Sequence, residues 1–265
     1  MDNKPFASII TPFHCWNSYR QKSIVRAISS LERQSYPNFE HIIINDGSVE
    51  PFDYPAHPWI KLIKQDHLER VNALRTGMEA ATGDVFCFLD SDDEYKPTYL
   101  QEVRDMFLRF PNYKMFNFGC EYLHKDGGIT FRAPFHPKKL KVGHEKFGGG
   151  NIVNGTFVFH RSVYNDLGGY PPEHTPVSAE QLAELNYTLA PQLSVSSPYD
   201  FSALAQIQFP EIRPYFQTDE PDKVIKELGN PWGNDFYLWY KYTRKYHSKP
   251  MKTYLYQVHP KGGNE

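Results

Sequence analysis

The sequence predicts an α/β fold, a mostly parallel sheet flanked by helices. Three observations carry this. Short, near-continuous apolar runs alternate with segments of helical period through the first 120 residues, the pattern of parallel strands buried on both faces. Polar groups follow three of those runs directly, at Pro12–His14, Asp46–Ser48 and Asp90–Asp93, which is where open α/β sheets bind ligands. The composition is that of a globular chain, 40% hydrophobic and 23% charged over 265 residues, enough for one large domain or two small ones.

The elements follow in order. Ala7–Thr11 (ASIIT) reads as a buried strand. Ser18–Gln34 places Ile24, Ala27, Ile28 and Leu31 on one helix face, and Pro37 stops it. His41–Asn45 (HIIIN) is a second strand, closed by the turn signal Asp46-Gly47-Ser48. Trp59–Lys64 alternates like a third strand. Glu69–Ala81 sets Val71, Leu74, Met78 and Ala81 on a helical stripe that Thr82-Gly83 ends. Val85–Leu89 (VFCFL) is a fourth strand. Pro97 suits the first turn of a helix carrying Leu100, Val103, Phe107 and Phe110, and Met115–Gly119 is a fifth strand. The second half is less regular. It holds the glycine run Gly148–Gly150, an apolar-polar stretch over Ile152–His160, a helix over Asn234–Tyr246 and an alternating strand at Thr253–Val258.

Several function classes are excluded or disfavoured. Lys+Arg 29 against Asp+Glu 31 gives a net charge of −2, without the basic excess of a general nucleic-acid binder. No stretch reaches the roughly 18–20 apolar residues of a membrane span, and the N-terminus lacks a signal-peptide core. Cys15, Cys87 and Cys120 form no CxxC pair, so a reducing cytoplasm is the simplest expectation. There is no G-x-x-x-x-G-K-[ST], H-E-x-x-H or G-x-S-x-G motif. Aromatic residues, at 15%, suit cores, sugar-binding surfaces and interfaces alike.

The sharpest chemical feature is Asp90-Ser91-Asp92-Asp93, three carboxylates in four residues straight after an apolar strand. Like charges this close repel unless a cation neutralises them. Mg²⁺ or Mn²⁺ bound with a diphosphate is one such partner, since these hard ions bind through one or two carboxylates plus phosphate. A solvated acidic turn capping the next helix is the other reading, and D-x-D spacing alone does not choose between them.

Context adds to this. The ordered segments Ser8–Pro12, Gln34–Ser48 (QSYPNFEHIIINDGS), Gly77–Asp84, Leu89–Asp93, Gly168-Gly169-Tyr170 and Asn234–Trp239 together resemble glycosyltransferase family 2, inverting enzymes of the GT-A fold. The resemblance covers about 120 residues of the N-terminal half well. It implies a GT-A, Rossmann-like domain. Residues 1–120 would form the nucleotide-sugar-binding half, and residues 121–265 an acceptor-binding half of the same domain.

Residue by residue, the resemblance implies the following roles. Asp46 accepts from a pyrimidine base, or is a plain turn aspartate. Asp90 faces the ribose, with Ser91 beside it. Asp92 is the main ligand of Mn²⁺ or Mg²⁺ and bridges to the diphosphate. Asp93 is a supporting or capping residue. Arg70 is a cation near the nucleotide or a solvated helix-start arginine. Pro12 and His14 edge the base, with an ordinary loop histidine as the alternative for His14. Asp235 is the general base that deprotonates the acceptor hydroxyl, or simply a helix-start aspartate; a carboxylate in a helix's first turn is held ionised by the dipole. His259 reaches back to metal or phosphate, or is structural.

Departures are equally informative. The usual acid pair before the late helix is Asn234-Asp235, the usual Asp-Asp-Gly-Ser is Asn45-Asp46-Gly47-Ser48, and Ala73-Leu74-Arg75-Thr76-Gly77 replaces a family Ala-Arg-Asn-x-Gly. Thr175–Gly229 is longer than the family's usual spacing there. It is read as an insertion whose aromatics either stack on sugars or pack a small subdomain. The expected activity is metal-dependent inverting transfer from a UDP-sugar to a hydroxyl of a glycan or lipid-linked glycan, in polysaccharide biosynthesis, with no nucleic-acid partner. Peripheral membrane attachment at the inner face and self-association stay open. A sugar nucleotidyltransferase is the alternative enzyme; the glycine-rich triphosphate loop it needs after the first strand is missing. A catalytically degenerate nucleotide-sugar or glycan-binding domain is the non-enzymatic alternative, supported by Asn234.

Overall fold

The computed structural model describes residues 5–51, 53–134, 153–170, 238, 241–243 and 245–260. Strands β1 (Ala7–Phe13), β2 (Phe39–Asp46), β3 (Ile60–Gln65) and β4 (Val85–Phe88) lie side by side in the order β3-β2-β1-β4, all parallel. Helix α1 (Ser18–Glu32) joins β1 to β2, and α2 (Glu69–Ala80) joins β3 to β4. Beyond β4 the sheet becomes mixed. Strand β8 (Phe157–His160) runs antiparallel to β4 and to β6 (Met115–Leu123), and β7 (Ile129–Arg132) folds back on β6. Strand β9 (Ser248–Val258) runs parallel to β6, and the two-residue β5 (Glu94–Tyr95) pairs antiparallel with β9. Helix α3 (Tyr99–Arg109) leads from β5 to β6, and α4 (Arg161–Leu167) follows β8.

Strand alternation sorts the core into layers. Ile10, Ile42, Ile44, Phe86 and Phe88 pack against Val71, Leu74 and Met78 of α2. Ala7, Ile9, Val85 and Cys87 pack on the other face against Ala27 and Leu31 of α1 and Tyr99, Leu100 and Val103 of α3. The expected stripes of α1 and α2 are thus the buried ones. Gly77 lets α2 lie on the sheet: a Cβ there would come within 2.5 Å of Ile10 Cγ2 and 2.7 Å of Ile44 Cδ1. Glu40 ties the β2 edge to the α2–β4 turn. Its Oε1 accepts from Ser8 Oγ at 2.6 Å and from the backbone N–H groups of Thr82 and Gly83.

The strands and helices expected through residue 123 are present, with ends shifted by a few residues. Strand β1 runs on to Phe13, β2 spans Phe39–Asp46, and α3 ends at Arg109, leaving Phe110 as its cap. Strands β5 and β7 and helix α4 are additional elements. Of the expected late helix, Leu238 and 241–243 are described and helical. Tyr242 Oη donates to Gly168 O at 2.8 Å and Lys241 Nζ to Gly169 O at 3.0 Å, which fastens that helix to the Gly-Gly-Tyr turn. Gly168 caps α4 with φ +69°, a conformation suited to glycine. Asp235, Gly148–Gly150 and the 175–229 insertion lie outside the described residues. No helix among the described residues is long and apolar enough to cross a membrane.

Candidate active site

The carboxyl ends of β1, β2 and β4 are neighbours because these strands are parallel and adjacent. The fold therefore gathers three separate turns at one edge. Pro12 pairs with Ile44 as the last but one residue of β1, where its missing N–H costs the ladder little. His14 follows. Its Nδ1 lies 2.7 Å from Asp46 O, and His67 Nδ1 lies 3.0 Å from the same oxygen. A carbonyl only accepts, so both rings carry a proton on Nδ1. Their centroids are 4.4 Å apart, and His14 also faces Trp16 at 5.5 Å. Trp16 is half exposed at 51%.

Asp46 ends β2 and is buried. Its Oδ1 accepts from Gln65 Nε2 at 2.7 Å and from Leu68 N at 2.9 Å, while Oδ2 faces His67 Nδ1 at 3.0 Å. These contacts brace β2 against the 65–68 segment.

The acidic turn sits at the end of β4. Asp90 Oδ1 pairs with Arg70 Nη2 at 2.7 Å, and Asp90 N–H donates to Tyr256 Oη at 3.0 Å. Asp92 Oδ2 pairs with Arg20 Nη1 at 3.1 Å, and Arg20 Nη2 donates to Ser91 Oγ at 2.9 Å. Arg26 Nη2 donates to the Asp92 carbonyl at 2.7 Å. Asp93 is buried, accepting from His259 N–H at 3.0 Å. Burial, and then the charges of Asp90 and Asp92, push its carboxyl up to about 8. His259 Nε2 lies 2.6 Å from Glu94 Oε2, so Nε2–H donates to that carboxylate. That bond, Arg26 and Arg33 hold the Glu94 carboxyl below its ordinary range against the opposing effect of burial.

Of the residues expected from sequence, the structure gathers Pro12, His14, Asp46, Arg70, Asp90, Ser91 and Asp92 at this edge. His259 is brought to Asp93 and Glu94. Four contributors escaped the sequence reading: Arg20, Arg26, His67 and Tyr256. For Arg20 and Arg26 the one available signal was basic residues on α1; His67 and Tyr256 carried none. Among the described residues no three His, Cys, Asp or Glu side chains converge as a closed metal cage. The donor set still fits Mn²⁺ or Mg²⁺: Asp90 and Asp92 are hard oxygen donors on one turn, and two such carboxylates plus substrate phosphate suffice for these ions. The guanidinium groups drawn to both carboxylates show that the turn calls for positive charge.

A parallel sheet with an acidic turn at its switch edge defines an α/β ligand-binding domain. The model of the family described as glycosyl transferase family 2 matches residues 8–168, more than half of the chain, and the chain belongs to that family. It is similar to the amylovoran biosynthesis glycosyltransferase AmsB of Erwinia amylovora, 33% identical over 97 residues, covering 33% of this chain and 32% of AmsB. An uncharacterised glycosyltransferase of Nostoc sp. is 36% identical over 89 residues, covering 31% of this chain and 28% of its own. The matches span about a third of these relatives' length. Among solved structures, S. aureus TarS 1–349 in complex with UDP-GlcNAc superposes with TM-score 0.53 at 13% identity, over 97% of this chain and 59% of TarS. That likeness shows the GT-A fold.

Proposed function

We propose that the chain transfers a sugar from a nucleotide-diphosphate sugar, a UDP-sugar, to a hydroxyl of a glycan or lipid-linked glycan, with inversion. The observation that carries this reading is the Asp90–Asp92 turn at the end of β4 with an arginine on each carboxylate. The amylovoran synthesis named for AmsB and the UDP-GlcNAc bound by TarS support the acceptor and donor classes. The nucleobase would meet His14, Trp16 and the Asp46 turn, and the diphosphate would meet Arg70 and the Asp90–Asp92 turn. Asp92, with Asp90, would hold Mn²⁺ or Mg²⁺, and His259 would flank the site. A bound cation supplies charge stabilisation to the leaving diphosphate. Asp235 takes the proton from the acceptor hydroxyl as that oxygen displaces the nucleotide from the opposite face of the sugar. The three described cysteines are buried free thiols, which suits a reducing compartment. Two halves of one domain, 1–120 for donor and 121–265 for acceptor, complete the reading.

Thermal unfolding with UDP, GDP, dTDP and CMP, with and without Mn²⁺, tests it. A ligand held at 100 times its dissociation constant stabilises by about 2.7 kcal/mol. One nucleotide should stabilise the wild type in a Mn²⁺-dependent way, and Asp92→Ala should abolish that dependence. Equal nucleotide affinity in Asp92→Ala with Mn²⁺ present counts against the assignment.

A further inference from the structure

We infer that Arg20 is a positioning residue that couples cation binding to diphosphate binding. It balances the charge of Asp92 in the donor-free site and pairs with the diphosphate once donor and cation arrive together. The inference rests on the donor-site reading above.

The geometry is specific. Arg20 reaches from the first turn of α1 to two adjacent residues of the acidic turn, with Nη2 on Ser91 Oγ at 2.9 Å and Nη1 on Asp92 Oδ2 at 3.1 Å. Its root is fixed, because Arg20 N–H donates to the Oδ1 of the helix cap Asn17 at 3.0 Å. Its guanidinium carbon lies 4.8 Å from the centre of the Trp16 ring, which serves as a shelf. Arg20 Nε is buried with no partner among the described residues, so the fork still has one N–H to satisfy. Arg26, on the same helix, holds the Asp92 carbonyl and fixes the backbone around which the side chain can turn.

Charge decides what this arrangement does. Asp90 and Asp92 each face one guanidinium, Arg70 and Arg20, so the two pairs are neutral. A divalent cation alone enters a balanced site and must displace an arginine. A diphosphate alone meets two carboxylates. Arriving together they cancel: the cation takes the carboxylates, and the arginine forks take phosphate oxygens, a geometry guanidinium suits. Cation and nucleotide therefore bind with positive coupling, and by linkage each raises the other's affinity by the same factor.

Removing Arg20 consequently has effects of opposite sign. Calorimetric titration of the full chain with Mn²⁺ alone, and with UDP at saturating Mn²⁺, reads both. Arg20→Met keeps an apolar stem against Trp16. It should tighten Mn²⁺ alone and weaken UDP, each by about tenfold or more, the scale of one charged hydrogen bond. Arg20→Lys keeps the charge without the fork and should fall between. Thermal unfolding confirms that each variant is folded. A role in packing alone moves both affinities in one direction. If the wild type binds Mn²⁺ with UDP but Arg20→Met leaves both affinities unchanged, or lowers both, the coupling role is overturned and the donor site stands. If the wild type binds no nucleoside diphosphate with Mn²⁺, the donor-site reading fails and this inference falls with it.

Discussion

Lowering the pH from 7 to 5 should cost the fold about 2 kcal/mol through one side chain, His41. His41 lies on β2 between Ile9 of β1 and Ile60 of β3 and is fully buried. Its Nε2 is 2.8 Å from Thr11 Oγ1, and its Nδ1 has no partner among the described residues. A protonated ring would bury an unpaired N–H, and burial pushes its pKa from 6.5 down to about 3. The unfolded chain binds that proton below about pH 6.5, while the folded chain refuses it until about pH 3. Unfolding thus takes up a proton in this window. The stability is complete above pH 6.5 and falls as pH falls, by up to about 1.4 kcal/mol per pH unit. The loss at pH 5 depends only on the unfolded value, because any folded pKa below about 4 leaves the ring neutral there. The assay is thermal unfolding of the wild type and His41→Gln at pH 7, 6 and 5, since the glutamine amide can still reach Thr11. For a chain of this size about 2 kcal/mol is roughly 4–8 °C. Every other group is common to the two proteins, so the wild-type advantage should shrink by that amount between pH 7 and pH 5. Parallel losses in the two proteins would refute the reasoning.

Three further outcomes are expected. Gly155→Ala puts a Cβ 1.7 Å from the Tyr256 ring. It should destabilise by about 1–3 kcal/mol or more and weaken nucleotide binding, because Tyr256 accepts from Asp90 N–H; unchanged urea unfolding would show that the ring yields freely. Glu40→Gln replaces a carboxylate that gathers four hydrogen bonds on one oxygen and should cost about 1 kcal/mol. These bonds lower the Glu40 pKa although burial opposes them, so this stability is present above about pH 4.5 and lost as pH falls, a decline that unfolding curves of Glu40→Gln should lack. Asp235→Asn should keep calorimetric Mn²⁺-dependent nucleotide binding and lose sugar transfer to acceptor; full turnover would exclude Asp235 as the base.

The parallel half of the fold was legible because its signals are local. Ile9, Ile10, Ile42, Ile43 and Ile44 are buried on both faces of the sheet, and a run of them reads as a strand wherever it sits. Ile24, Ala27, Ile28 and Leu31 name the buried face of α1 by spacing alone. Strand β5 carries no such signal: two residues, Glu94 and Tyr95, become a strand only because Gln257 and Tyr256 arrive beside them from the other end of the chain. Strand β7 likewise exists through its hairpin with β6, while its own Ile129 and Phe131 are more than half exposed, so hydrophobic pattern has nothing to report.

The site divides in the same way. Asp90–Asp93 declares its chemistry in four letters, but the groups that govern it are remote. Arg20 is 72 residues from Asp92, and His259 and Tyr256 are each 166 from the carboxylate or N–H they meet. Asp46 shows the converse. Its turn motif is plain in sequence, yet the buried contacts to Gln65, His67 and Leu68 that occupy its carboxylate depend on β3 lying beside β2. A run of like charges says that positive charge is needed, and only the sheet order says that α1 and α2 already bring it. That difference has a mechanistic consequence. Arg20 and Arg70 balance the carboxylates of this turn, and on the coupling proposed above a cation gains there chiefly when a diphosphate arrives with it.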